Sequence, residues 1–164
     1  LATPRLAEEL EAQVEESVAQ GARVLCGGRR TAPGSAFFPP TVLTDIPRES
    51  PAYRDELFGP VGCVFIADDL DDAIRIANDT RFGLGSSAWT NDPAEQERFV
   101  RELDAGSVFV NDMVVSDARF PFGGVKASGY GRELSDVGLR EFVNVKTVRI
   151  RVGDGGGVRN ANTE

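Results

Sequence analysis

No histidine occurs anywhere in the 164-residue sequence. A Ser-His-Asp or Cys-His nucleophile arrangement is therefore excluded, as is a metal centre built on imidazole. Cysteine is nearly as scarce: Cys26 and Cys63 lie inside apolar runs with no C-x-x-C partner, which predicts buried thiols in a reducing compartment and a cytoplasmic location. No apolar run approaches the ~20 residues of a membrane-spanning helix. The first twenty residues carry acids where a secretory signal needs a basic end and an apolar middle. Positive charge is the minority sign, 18 Lys and Arg against 26 Asp and Glu, and the net charge of −8 argues against nucleic acid or an anionic membrane as partner. What is present suffices for one domain, since 41% hydrophobic content can bury a core. The first residue is leucine rather than methionine, which predicts a natural start upstream.

Thr3-Pro4 predicts a helix, with a cap followed by proline at the first helical position. Leu6, Leu10, Val14 and Val18 then recur every four residues as one apolar face, and Gly21 ends it. Ala22 to Cys26 is a short β-type run stopped by Gly27-Gly28. Phe37 to Thr44 is extended, because a residue before proline is pushed out of the helical region, and the prolines predict a sheet edge or a loop. A polar connector over 47–54 leads to Asp55-Glu56-Leu57-Phe58. Gly59-Pro60 then forces a turn or extended geometry, and Val61 to Ala67 reads as a buried strand. Asp68 and Asp69 open a helix with Leu70, Ala73, Ile74 and Ala77 on its apolar face. The aspartates at 68, 69, 71 and 72 are read as acids favoured by the helix dipole rather than as a metal cluster.

Gly83-Leu-Gly-Ser-Ser-Ala88 fits the G-x-G-x-x-A pattern of a dinucleotide loop. That fingerprint needs a strand before it and a helix after it, the reverse of the order here, so the match is rejected. Asn91-Asp92-Pro93 opens another helix, with Phe99, Val100 and Leu103 expected buried and Gly106 closing it. Ser107 to Asn111 is a strand, Leu134 to Phe142 a short helix, and Val143 to Ile150 alternates as a strand does. Helices alternating with strands predict an α/β domain with a largely parallel sheet. From Gly153 onward the tail is glycine-rich with Val158 as its one large apolar residue, which predicts disorder. Asn78-Asp-Thr80 matches a glycosylation sequon, set aside as chance because no secretory signal accompanies it.

Phe120 to Glu133 stands apart from these periodic segments. Its fourteen residues hold four glycines, a proline, three aromatics, a lysine, an arginine and a glutamate, too irregular for a strand or an amphipathic helix. It reads as a built loop, in which Gly123-Gly124 permits close backbone approach, Pro121 fixes the entry, and Gly129 and Gly131 lead into a helix. Composition alone equally allows a plain glycine-rich connection between strand and helix.

Phe122-Gly-Gly-Val-Lys-Ala-Ser-Gly-Tyr-Gly-Arg-Glu133 resembles the C-terminal signature of the NAD(P)-dependent aldehyde dehydrogenase superfamily. Asp55-Glu-Leu-Phe-Gly-Pro-Val61 resembles that superfamily's second signature, usually Glu-Glu-(Ile or Leu)-Phe-Gly-Pro-Val. Two independent motifs in the right order make the match specific, and the similarity runs as far as Ile150. Asn111 to Gly124 most resembles the succinate-semialdehyde dehydrogenase branch.

The resemblance implies an aldehyde dehydrogenase-like α/β catalytic domain, represented in its distal part by residues 1–142. An oligomerisation strand at 143–152 and a disordered tail at 153–164 would follow. It implies NAD or NADP as cofactor, with Glu56 accepting from the nicotinamide-ribose hydroxyls and Phe58 packing beside the nicotinamide. The chemistry suits those roles: an anionic acceptor can hold two neighbouring hydroxyls, and a ring limits the wandering of a planar head. Without the motifs the two would read as a surface acid beside a core aromatic. Asp55 departs from the usual first glutamate, at a position that is not the ribose ligand.

By the same resemblance Phe122 is an aromatic wall of the substrate tunnel, and Ser116 donates to a distal carboxylate. Arg119 is a local cation, either assisting there or solvated. Lys126, Arg132 and Glu133 are structural, and Asn111 fixes the loop after its strand. The family mechanism is covalent: a cysteine thiolate adds to the aldehyde, an amide hole stabilises the oxyanion, hydride passes to nicotinamide, and a glutamate-activated water releases the acid. In the family the nucleophile, its amide partner, the base and the cofactor-binding domain all precede the region resembled here. Neither cysteine sits in the nucleophile's context, so no catalytic residue is assigned and the isolated chain is expected to be inactive. The implied whole enzyme is a homo-oligomer, dimer or tetramer, joined through residues 143–150. Its implied substrate is a small aldehyde, succinate semialdehyde being favoured. A broader aldehyde oxidiser and a non-catalytic subunit-binding module are the alternatives.

Overall fold

Helix α1, Pro4–Ala19, begins where the sequence supplies a cap: the Thr3 hydroxyl accepts from Leu6 N at 3.3 Å, and Pro4 takes the first turn. The structure, a computed structural model, describes residues 1–150. The expected tail at 153–164 and the last two residues of the 143–152 segment lie outside the described residues. The buried face of α1 is Ala7, Leu10, Val14 and Ser17, whereas the expected Val18 is 41% exposed. A spacing of four drifts off a face that repeats every 3.6 residues, and Ser17 takes the inward position. Its hydroxyl is satisfied there, donating to Gln13 O at 2.7 Å and accepting from Ala52 N at 3.0 Å. That second bond ties α1 to the short helix α2, Pro51–Arg54.

Strands β1 (Arg23–Cys26), β2 (Thr41–Thr44) and β3 (Val61–Cys63) form one sheet in that order. β1 runs antiparallel to β2 with an irregularity between Val24 and Cys26, and β3 runs parallel to β2 with Thr41 opposite Val61. The edge or loop position expected for the proline-containing run is therefore corrected: its strand residues are central. Pro39 and Pro40 stop just short of the strand, so no ladder N–H is missing, and Thr41 N donates to Pro60 O at 2.9 Å. The core lies between this sheet and the two helices, where Leu10, Val14, Phe38, Leu43 and Ala52 pack together with Leu57, Val61 and Cys63 at its margin.

The buried strand expected over 61–67 is shorter and more open. It ends at Cys63, and Val64, Phe65 and Ile66 are 46%, 40% and 84% exposed. Val64 N still reaches Leu43 O at 2.9 Å, but β2 stops at Thr44 and the ladder runs out.

Helix α3 (Leu70–Asn78), strand β4 (Ser86–Ala88), helix α4 (Pro93–Glu102) and strand β5 (Val108–Val110) follow, and β4 pairs parallel with β5 across α4 as a βαβ unit. Among the described residues two of the three strand pairings are thus parallel, in two sheets rather than one. Both helices start on aspartate caps, Asp69 accepting from Asp72 N and Asp92 from Ala94 N. Within the aspartate cluster Asp69 caps α3, Asp72 pairs with Arg75 at 2.5 Å and Asp71 with Arg98 at 2.6 Å. Helix α4 departs from expectation in burying no residue fully; Phe99 and Leu103 are half-buried and Val100 is 58% exposed. A 3-10 turn at Lys126–Ser128 and helix α5, Ser135–Arg140, complete the order.

Residues 144–150 hold no strand within the chain, and Val143, Val145, Val148 and Ile150 are all exposed. An extended segment with no neighbouring strand has no ladder to join. No helix among the described residues is long and apolar enough to cross a membrane.

Leu10→Ala is expected to lower the unfolding free energy by about 2–5 kcal/mol, against less than about 0.5 kcal/mol for Val18→Ala. Urea denaturation of the two variants checks this, and equal losses would contradict the assigned face.

Candidate functional site

The segment around Asp55-Glu56-Leu57-Phe58 alternates between anchoring and display. Leu57 packs on the core cluster. A Cβ at Gly59 would fall 2.4 Å from Leu10 Cδ2, so a side chain there would have to displace that of Leu10. Glu56 and Phe58, on the alternate positions, are left exposed, Phe58 at 67%. The motif is pinned through its backbone as well: Gln13 Nε2 donates to Glu56 O at 3.4 Å, and successive tight turns run from Gly59 N to Leu57 O and from Val61 N to Gly59 O, both 2.8 Å. Phe58 is thus not the core aromatic of the alternative reading. An exposed carboxylate and an exposed ring two residues apart fit the hydroxyls and the planar face of a nicotinamide nucleoside.

The signature loop is held from both ends. Phe122 and Glu133 exchange backbone hydrogen bonds, Phe122 N to Glu133 O at 2.9 Å and Glu133 N to Phe122 O at 2.8 Å. The Arg132 guanidinium donates to Gly124 O and Gly131 O, both 2.8 Å, inside the loop so closed. The loop lies against the βαβ unit with almost no side chain between them: a Cβ at Gly106 would sit 1.7 Å from Gly123 O. Gly83 O accepts from both Gly106 N (3.0 Å) and Val125 N (2.9 Å), and Gly83 N donates to Ser128 Oγ at 3.0 Å. The glycines of the rejected dinucleotide pattern therefore have a packing role. Lys126 spans the same junction, its Nζ 3.0 Å from Asn78 O and 2.9 Å from Asp104 Oδ2.

Asn78, part of the sequon Asn78-Asp-Thr80, has a structural role. Its amide donates to Glu102 O at 2.7 Å and accepts from Asp104 N at 2.8 Å, which locks the end of α3 to the end of α4. Nothing in its sequence context distinguishes such a side chain from a solvated one. Asn111 does what was expected of it: its amide exchanges two 2.9 Å bonds with the backbone of Thr90, extending the β4–β5 ladder at φ +56°.

Two clefts adjoin this frame. One of about 510 Å³ has Glu56 on its rim together with Leu84, Leu103, Ala127 and Ser128. The other, about 360 Å³, is lined by Phe122, Leu84, Tyr130 and Arg132. Glu56 is thereby brought to the signature loop, and Phe122 lies just beyond Leu84. Phe58 and Ser116 border neither cleft. Ser116 is exposed, and Arg119 is engaged by Asp117, which the guanidinium holds down to a pKa of about 2.

Cys63 is half-buried, burial pushes its thiol up, and its Sγ donates to Ala52 O at 3.5 Å. Cys26, expected buried, is exposed at the end of edge strand β1. Among the described residues each thiol is bonded to a backbone carbonyl and to no charged side chain.

Residues 1–148 match the aldehyde dehydrogenase family. The chain belongs to that family. It is 51% identical over 150 residues to a probable succinate-semialdehyde dehydrogenase [NADP(+)] of Synechocystis sp., covering 92% of this chain and 33% of the relative. It is 54% identical over 150 residues to succinate-semialdehyde dehydrogenase [NADP(+)] 1 of Mycobacterium tuberculosis, with the same coverage of 92% and 33%. Among solved structures, succinic semialdehyde dehydrogenase of Streptococcus pyogenes, in complex with NADP+, superposes with a TM-score of 0.82 at 32% identity over 88% of this chain and 32% of that one. The chain spans about a third of the length of the curated relatives it matches. Both aldehyde dehydrogenase motifs fall inside the matched region, and both contribute lining residues to the larger cleft, Glu56 from one and Ala127 and Ser128 from the other.

Gly106→Ala is expected to destabilise the junction between the loop and the βαβ unit, with hydrogen exchange at Val125 N and Glu133 N accelerating before that of β2. Unchanged exchange at those amides would rule out the close backbone packing. The Asp117 carboxyl, depressed from 3.8 to about 2, should stabilise the fold above its ordinary pKa, with that contribution lost as pH falls through about 2. A carbon-detected NMR titration checks this, and a midpoint near 3.8 would contradict the pairing.

Proposed function

We propose that this chain is the distal part of the catalytic domain of an aldehyde dehydrogenase whose complete polypeptide oxidises succinate semialdehyde to succinate with NADP+ or NAD+. The observation that carries the reading is the paired display of Glu56 and Phe58, exposed while Leu57 is anchored and Gly59 lies against α1. The identities of 51% and 54% to proteins named as succinate-semialdehyde dehydrogenases [NADP(+)] support the substrate and favour NADP.

The bound nicotinamide supplies the hydride acceptor. Toward it, the Glu56 carboxylate accepts hydrogen bonds from the ribose hydroxyls and orients the head, and the Phe58 ring limits its rotation. Phe122 forms an apolar wall that excludes water from the aldehyde end. Ser116 donates its hydroxyl to the distal carboxylate of the substrate. A single hydroxyl is a weak anion receptor, so cations from outside these residues complete that site. The nucleophilic cysteine and the general base also lie outside it, and the isolated chain does not turn over aldehyde. Residues 143–150, with Val143, Val145 and Val148 exposed, add as a strand to the sheet of a neighbouring subunit and make the enzyme a homo-oligomer. The free cysteines suit a reducing cytoplasm.

In the complete polypeptide Glu56→Gln is expected to weaken NADP+ binding about tenfold by fluorescence titration, the scale of a charge-assisted bond pair. Ser116→Ala should raise KM for succinate semialdehyde while leaving that for a neutral four-carbon aldehyde unchanged. No preference for the carboxylated aldehyde in the unmodified enzyme would sink the substrate assignment.

A further inference from the structure

The turn between Ser116 and Phe122 hangs on one side chain. Asp117 Oδ1 accepts from Arg119 N and Nε, both at 2.9 Å, and its Oδ2 accepts from Nε at 3.1 Å and Nη2 at 2.5 Å. Its carbonyl accepts from Phe120 N at 3.0 Å, closing the turn. The guanidinium also lies 5.6 Å from the Phe120 ring centre. Downstream the chain is anchored, Ser135 N to Ala118 O at 3.1 Å and Phe122 to Glu133 by two backbone bonds. Upstream it is not: among the described residues, 113–116 make no hydrogen bond except Met113 N to Asp112 Oδ1. The Asp117 clamp is therefore where the loose segment bearing Ser116 meets the fixed one bearing Phe122.

Arg119 is the one lysine or arginine between Asn111 and Val125. A substrate carboxylate approaching it competes with a carboxylate two residues away on the same chain, present at high effective concentration. Arg119 is thus committed to the turn, and selection of an anionic substrate falls to what the turn positions.

Resting on the reading of Ser116 and Phe122 as substrate contacts, we propose that Asp117 and Arg119 are a positioning pair that sets Ser116 against Phe122 and so governs preference for carboxylated over neutral aldehydes. Neither residue touches substrate. Their effect passes through Ser116, and it belongs in KM for the carboxylated aldehyde rather than in kcat.

The test uses the complete polypeptide with Asp117→Asn, Arg119→Gln and the double variant. Each single change is expected to raise KM for succinate semialdehyde about three- to fivefold with kcat held, the scale of a geometrically good exposed ion pair. KM for the neutral four-carbon aldehyde stays constant, and the double variant is no worse than either single one, because the two changes remove the same interaction. Asp117→Asn should also speed tryptic cleavage after Arg119, a readout independent of activity. Equal rises for both aldehydes, or additive losses in the double variant, would mean general loosening and overturn the proposal. Ser116→Ala and Phe122→Ala are the reference: if they raise KM and the clamp variants do not, the clamp proposal fails and the functional reading stands. If none of the four single changes alters KM, the assignment of the loop to substrate fails, and the clamp with it. Should Asp117→Asn not fold, Arg119→Gln and its comparison with Ser116→Ala carry the same decision.

Discussion

The near-contact of Gly106 with the carbonyl of Gly123, where a Cβ would sit 1.7 Å from oxygen, is the constraint on which the candidate site depends. It brings two segments that are seventeen residues apart in the chain to backbone contact, and no side chain can be added there without moving one of them. With the loop pressed onto the βαβ unit, Gly83 can serve Gly106 and Val125 at once, and Lys126 can reach both Asn78 and Asp104. Polar groups that would otherwise be stranded at the junction are satisfied by each other. A glycine-rich loop, costly in conformational entropy, is in this way given one conformation.

The two ends of the chain's chemistry are held by different means. The Glu56–Phe58 segment is anchored by apolar packing, Leu57 on the core and Gly59 against Leu10. The loop bearing Phe122 is anchored by polar contacts, backbone pairing of Phe122 with Glu133 and the Asp117–Arg119 ion pair. Apolar anchoring fixes a position against a whole surface, whereas ion pairs in an exposed turn are weaker and screened by salt. That loop is accordingly the part of the candidate site most open to tuning by single residues.

Exposed apolar side chains mark where the fold is incomplete by itself. Val64, Phe65 and Ile66 continue beyond the ladder of β3, and Val143, Val145, Val148 and Ile150 have no sheet among the described residues to receive them. The matched relatives are about three times as long as the region they share with this chain. Burial expectations for strand β3 and helix α4 erred in one direction, toward too much, because an apolar sequence records what a residue can be packed against and not what is at hand.

The sequence by itself determined the family and the starts of α1, α3 and α4. Helix caps at Thr3, Asp69 and Asp92 and the prolines after two of them act within a turn of the chain, so their signals are local and legible. The two signatures were legible too, since each is contiguous. Tertiary structure alone decided the rest: that β2 lies in the middle of its sheet, that Ser17 faces inward in place of Val18, and that Asn78 joins two helix ends. Each of these turns on which distant backbone group is within about 3 Å, the reach of a hydrogen bond. That distance is fixed by packing across the chain, and no local pattern of residues encodes it.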